Sequence, residues 1–178
     1  MSSRLRRRLL LSQAANRVYY YRGGKSTEEE RQCTDTTGGW KAGNATMLTE
    51  DNRIGAMMPR SQFGQTRHIR TVNKVNLTDI NALCFEVEKK STNNFPSLIR
   101  VGIIASTSAT NASTFNSSYV ALVAQEDPYD KKILLTVDTT KLTGTYYLGL
   151  AATIAAATGG GSNQYAYAYA YNIYGLRA

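Results

Sequence analysis

One histidine, two cysteines, three prolines and one tryptophan in 178 residues leave little material for several common chemistries. With His68 as the single imidazole, no two histidines stand at metal-ligand spacing, and a metal-plus-base site of that kind is excluded. Cys33 and Cys84 lie far apart without a Cys-x-x-Cys spacing. That pattern points to neither a disulfide framework nor a zinc site, and leaves a single bridge open. Apolar runs are short, well under the roughly 20 residues of a membrane helix, so no membrane partner is expected. The first residues, Met1 to Ala15, carry only three consecutive leucines after a basic run. A secretory signal needs about 7–15 apolar residues there, so the chain is expected to be made in the cytoplasm with no signal peptide. The Asn-x-Ser/Thr matches at Asn44, Asn76, Asn111 and Asn116 then carry no glycosylation meaning.

What is present is a neutral body with a cationic end. Residues 1–25 hold Arg4, Arg6, Arg7, Arg8, Arg17, Arg22 and Lys25 with no acid, +7 of the net +8, and the other 14 basic and 13 acidic residues leave +1. The pI therefore describes an arm and not a nucleic-acid-binding fold. Leu5 and Leu9, at i and i+4 among the arginines, give residues 4–16 the pattern of a short helix, marginal by itself at that length.

Hydrophobic residues make up 42% of the chain, enough for the core of one domain, and frequent Gly, Thr, Ser and Asn punctuate short apolar stretches. Arg17–Arg22 reads as a strand, ended by Gly23-Gly24 and a polar loop through Glu28-Glu29-Glu30. Gly23-Gly-Lys-Ser26 imitates the end of a phosphate-binding loop, but Tyr19 stands where its first glycine belongs. Trp40 to Arg70 shows one strand, near Arg53 to Met58. Leu83, Phe85 and Val87 alternate with Cys84, Glu86 and Glu88, the mark of one buried and one wet face. Strands follow at Leu98–Ala105, Tyr119–Gln125, Lys132–Val137 and Tyr146–Leu150, and Tyr165 to Tyr171 alternates strictly with alanine before running on to Tyr174. Eight or nine strands without helical crossovers predict an all-β fold: an antiparallel two-sheet β-sandwich of jelly-roll type over residues 17–178, preceded by a basic arm over 1–16.

Three segments, Cys33-Thr-Asp-Thr-Thr-Gly-Gly-Trp40, Thr71 to Val87 and Lys141-Leu-Thr-Gly-Thr-Tyr-Tyr-Leu-Gly-Leu150, resemble in order and rough spacing the β-sandwich modules of structural proteins from tailed bacteriophages of Gram-positive bacteria. The likeness covers most of residues 17–178 and rests on turns and strands. It implies a non-enzymatic virion component, an accessory capsid-attached fibre or decoration or a tail part, partnered by other virion proteins and by copies of itself. The loop before Cys33 is longer than in those modules.

No catalytic constellation, cofactor or metal site is predicted. Arg67 and Arg70 beside His68 suggest an exposed strand or loop position and not a catalytic base. Glu86 and Glu88 share a strand face that a solvated edge explains, and glycosidase carboxylates cannot be paired from spacing. Glu126 to Asp130 lacks Asp-x-Asp-x-Asp-Gly spacing and reads as an acidic turn. Trp40, next to two glycines, reads as a core anchor.

Two features remain as candidate sites. Tyr165, Tyr167, Tyr169 and Tyr171 fall on one face of one strand, suited either to packing and subunit contact or to stacking on a host cell-wall glycan. Under the glycan reading the chain is a host-surface carbohydrate-binding module or adhesin. The arm residues Arg4, Leu5, Arg6, Arg7, Arg8 and Leu9 suit phosphate neutralisation, an organelle transit signal, or docking into an acidic groove of the particle. Docking agrees best with the phage resemblance, and nucleic acid is not expected as the main partner because the arm holds no recognition motif.

Overall fold

The computed structural model describes residues 16–105, 119–125, 130–154 and 163–178, with the segment 119–125 described by its backbone. Arg4, Leu5, Arg6, Arg7, Arg8 and Leu9, and with them the expected short helix, lie outside the described residues, as do Glu126 and Asp127.

Twelve strands are described: β1 (Arg17–Arg22), β2 (Trp40–Ala42), β3 (Thr46–Thr49), β4 (Ile54–Pro59), β5 (Gln65–Thr71), β6 (Val75–Asn76), β7 (Ile80–Ser91), β8 (Leu98–Ile104), β9 (Tyr119–Gln125), β10 (Lys132–Asp138), β11 (Thr145–Ile154) and β12 (Tyr165–Arg177). They form two sheets, ordered β10-β7-β12-β4-β3 with β1 also on β12, and β2-β5-β11-β8-β9 with β6 on β11. All pairings are antiparallel. Taking β4, β5 and β7 to β12 as the principal strands, the chain changes sheet at every connection except β8 to β9. The resulting orders β4-β12-β7-β10 and β5-β11-β8-β9 are those of a jelly roll, which confirms the predicted architecture.

Period-two patterning drives the packing. Leu83, Phe85 and Val87 of β7 and Ala166, Ala168, Ala170 and Ile173 of β12 meet Ile99, Val101 and Ile103 of β8 and Leu148, Leu150 and Ile154 of β11 between the sheets, all of them buried. Full burial of one such Leu, Ile or Phe contributes about 1.5–3 kcal/mol. Beyond Ala170 the β12 register slips by one residue against β7, so Tyr171 and Asn172 both avoid the core and Ile173 returns to it. A second irregularity in β1, at Tyr20, lets Tyr20 and Tyr21 both be buried in sequence.

Several expectations are corrected. The polar loop after Gly24 contains a helix, α1 (Glu28–Gln32), started by a capping box between Thr27 and Glu30. A one-turn helix, α2 (Thr34–Thr37), follows directly, with Cys33 and Gly38 in left-handed conformation at its ends. The stretch from Trp40 to Arg70 holds four strands and not one. Cys33 and Cys84 are free thiols, which closes the open bridge. Trp40 is the expected core anchor: it is buried, and its Nε1 donates to the Tyr20 carbonyl at 2.8 Å.

Candidate functional site

The outer face of the first sheet is set by the alternation in β12. Because Ala166, Ala168 and Ala170 point into the core, Tyr165, Tyr167 and Tyr169 project from the opposite side. Tyr167 stands between Met57 of β4 and Lys90 of β7, and Tyr169 between Gly55 and Glu88. The Tyr167 and Tyr169 rings are 5.7 Å apart and parallel within 6°. Tyr165 lies 6.4 Å from Tyr167, tilted by 44°.

The four tyrosines are brought together but are not equivalent. Tyr169 is only 6% exposed, and its burial pushes the phenol up to about 12. Gly55 makes that position available, because a Cβ there would sit 2.7 Å from Tyr169 Cδ1. The other side of the ring is covered by the Arg53 guanidinium, 3.7 Å from its centroid. Tyr165, Tyr167 and Tyr171 remain half-exposed. Tyr171 donates to Glu88 and carries the Lys132 ammonium 3.8 Å from its ring centroid. Tyr165 and Tyr167 are thus the less engaged rings of the row, and Tyr169 is the fixed ring on which Tyr167 stacks.

Arg53 organises the surroundings. Its Nε meets Glu50 Oε2 at 2.6 Å, and its Nη1 meets Glu88 Oε2 at 3.2 Å and the Tyr171 hydroxyl at 3.2 Å. Burial works against the charge, but the bonds to Glu50 and Tyr171 outweigh it and hold the guanidinium protonated. Lys90 Nζ reaches Glu88 at 3.5 Å and Asp130 at 3.6 Å. Around the rings, Arg53, Lys90 and Lys132 face Glu50, Glu88 and Asp130, so the charges cancel locally. The face offers aromatic surface and hydroxyl groups among ion-paired side chains.

This geometry corrects the expected wet edge. β7 runs between β10 and β12, and Glu88, far from being solvated, is 7% exposed under Arg53 and Tyr171. Glu86 lies on the same face and accepts from Asn172 Nδ2 at 2.6 Å. His68 is corrected too: it is fully buried on β5 against Gly43, where burial first and the Arg70 charge second pull its imidazole down to about 4. Nothing in its neighbours' charge revealed this, because Arg67 and Arg70 lie within a strand whose outer face is itself covered. Among the described residues, no three His, Cys, Asp or Glu side chains converge as metal ligands, and no helix is long and apolar enough to cross a membrane. Arg53 is the site residue that sequence reasoning missed; its spacing from Tyr169 carries no signal until β4 and β12 are paired.

The fold and this face define a two-sheet jelly-roll sandwich with an aromatic outer surface. No protein-family model and no curated protein matches the chain. Solved structures similar to it include the carbohydrate-binding module TmCBM27, described for specific mannan recognition, at 8% identity and TM-score 0.48 over 91% of this chain and 95% of that one. The carbohydrate recognition domain of Emp47p is similar at 9% identity and TM-score 0.44, over 78% and 88%. The xylan-binding module CBM86 from Roseburia intestinalis is similar at 12% identity and TM-score 0.39, over 77% and 92%. Likenesses of this degree carry no weight for a ligand, which has to be read from the chain's own surface.

Proposed function

We propose that this chain is a non-catalytic carbohydrate-binding sandwich whose ligand stacks on Tyr165 and Tyr167. One observation carries the reading: two half-exposed rings stand in line on a rigid strand, and the ring behind them is clamped between Gly55 and Arg53. A sugar ring presents apolar C–H faces and a hydroxyl rim. The tyrosine faces suit the first, and the phenols with Lys90 suit the second. Tyr167 stacks on Tyr169, which Arg53 holds in place, and that pre-organisation lowers the entropy lost on binding. Affinities in the millimolar to micromolar range, about −4 to −8 kcal/mol, are expected.

Glycan-array screening followed by calorimetric titration of the best ligand tests this. Tyr165→Ala and Tyr167→Ala should each weaken binding about tenfold, about 1.4 kcal/mol. Binding at full strength in both variants refutes the reading.

The setting we propose is the particle of a tailed phage of Gram-positive bacteria, with Arg4, Leu5, Arg6, Arg7, Arg8 and Leu9 as the docking arm. Its support is the resemblance of the three segments named above and the concentration of +7 in residues 1–25. Many copies on a symmetric lattice would turn weak single-site glycan contacts into firm attachment.

A further inference from the structure

The outer face of the second sheet differs from the tyrosine face in its charge. Ile69 and Thr71 of β5 point into the sandwich, so His68 and Arg70 project outward. Arg70 is 9% exposed, and its Nη1 donates to the Thr71 carbonyl at 3.0 Å. Its guanidinium lies 4.5 Å from the centroid of Tyr147, and Lys74 Nζ lies 5.5 Å from the same centroid. Lys41 of β2 stands directly opposite Arg70 across the strand pair, and both Lys41 and Lys74 are exposed. Among the described residues, the ion pairs join Arg53, Lys90, Glu50, Glu88 and Asp130 on the other sheet, and none reaches Lys41, Arg70 or Lys74.

Like charges placed opposite one another in a sheet destabilise it, and a guanidinium nearly out of water without a carboxylate partner costs more. Two cations at one ring, Arg70 and Lys74, with the Lys41 position directly opposite Arg70, are an arrangement that an anion relieves. We propose that Lys41, Arg70, Lys74 and Tyr147 form a second site, separate from the tyrosine face, for a base-free polyanionic chain, an acidic polysaccharide or polyol phosphate, bearing carboxylate or phosphodiester groups. Arg70 supplies a planar donor fork held in place by Tyr147, and the two lysines supply mobile charge at its edges. A nucleic acid fits less well, because the ring that would stack a base is already occupied by two cations.

Titration of the full chain with polygalacturonate, poly(glycerol phosphate) and a single-stranded DNA oligonucleotide tests the site. At least one of the two base-free polyanions should bind, lose at least tenfold in affinity as salt rises to about 0.5 M, and lose at least tenfold in Lys41→Ser/Lys74→Ser. That double variant keeps Arg70 in place, so its circular dichroism should match the parent, and its binding of a neutral glycan should be unchanged. The two polymers separate carboxylate from phosphate as the recognised group. Absence of binding by both, affinity indifferent to salt or to the lysines, or tighter binding of the DNA overturns the proposal. Because the lysines and the tyrosine platform lie on different sheets, either site can fail without the other.

Discussion

Removing Arg53 is the sharpest test of how the tyrosine face is built. Arg53→Met keeps the length of the side chain and deletes the charge. It loses the pair to Glu50, which is 41% exposed in its side chain and so contributes about 1 kcal/mol at most. It also loses the contact on Tyr169, about 1 kcal/mol. The larger effect falls on Glu88, whose side chain is 9% exposed. Orphaning one member of a fully buried pair costs about 3–5 kcal/mol, but Lys90 stays 3.5 Å away and reduces that sharply. A total near 3 kcal/mol follows, about 6–12 °C in Tm at the usual 2–4 °C per kcal/mol for this size. In Arg53→Met/Glu88→Gln no carboxylate is stranded, so the double variant should be more stable than the sum of the single losses by about 1–2 kcal/mol. Urea denaturation of the four proteins of this cycle at neutral pH reads that coupling. Strict additivity within about 0.5 kcal/mol would refute the view that Arg53 acts through Glu88.

Further expectations concern pH and the arm. His68 titrates near 4 when folded and near 6.5 when unfolded, so the unfolded chain binds more protons between those values and stability rises with pH across them. About 3 kcal/mol, present above about pH 6.5, should be lost as pH falls towards about 4. Urea midpoints of His68→Gln should therefore lie on a flatter curve over that window, and curves parallel to the parent would contradict the assignment. Deleting residues 2–16 should leave a soluble sandwich that no longer co-sediments with particles. Normal assembly of the truncated chain would give the arm a different role.

The principal strands were legible wherever one face met the core and the other met water or aromatic cover. β12 announced itself through Tyr165 to Tyr171, and β7 through Leu83, Phe85 and Val87, because a half-buried strand enforces period two. β5 was not legible. Thr66, His68 and Arg70 are polar yet buried on its outer face, so the alternation that marks a half-wet strand is missing. Lys89 broke the pattern of β7 in the same way, buried on the core side with Nζ donating to the Ser97 carbonyl at 2.9 Å. The helix α1 was readable in principle, since Thr27 and Glu30 form the Ser/Thr-x-x-Glu start signal, but five residues are too few for an amphipathic period. Of the candidate site, the four tyrosines came from spacing alone. What separates Tyr169 from Tyr165 and Tyr167 came from Gly55 and Arg53, more than 100 residues earlier in the chain. Long-range strand pairing places those partners, and no local pattern reports it.

The most direct test is to label the tyrosine rings with carbon-13, assign them by single Tyr→Phe changes, and titrate the chain with its best neutral oligosaccharide. The largest and saturating shifts are predicted at Tyr165 and Tyr167, smaller ones at Tyr169 and Tyr171, and none at the core residues Tyr20 and Tyr21. Shifts centred on Tyr147, or no shift at Tyr165 and Tyr167 at saturating ligand, would contradict the account.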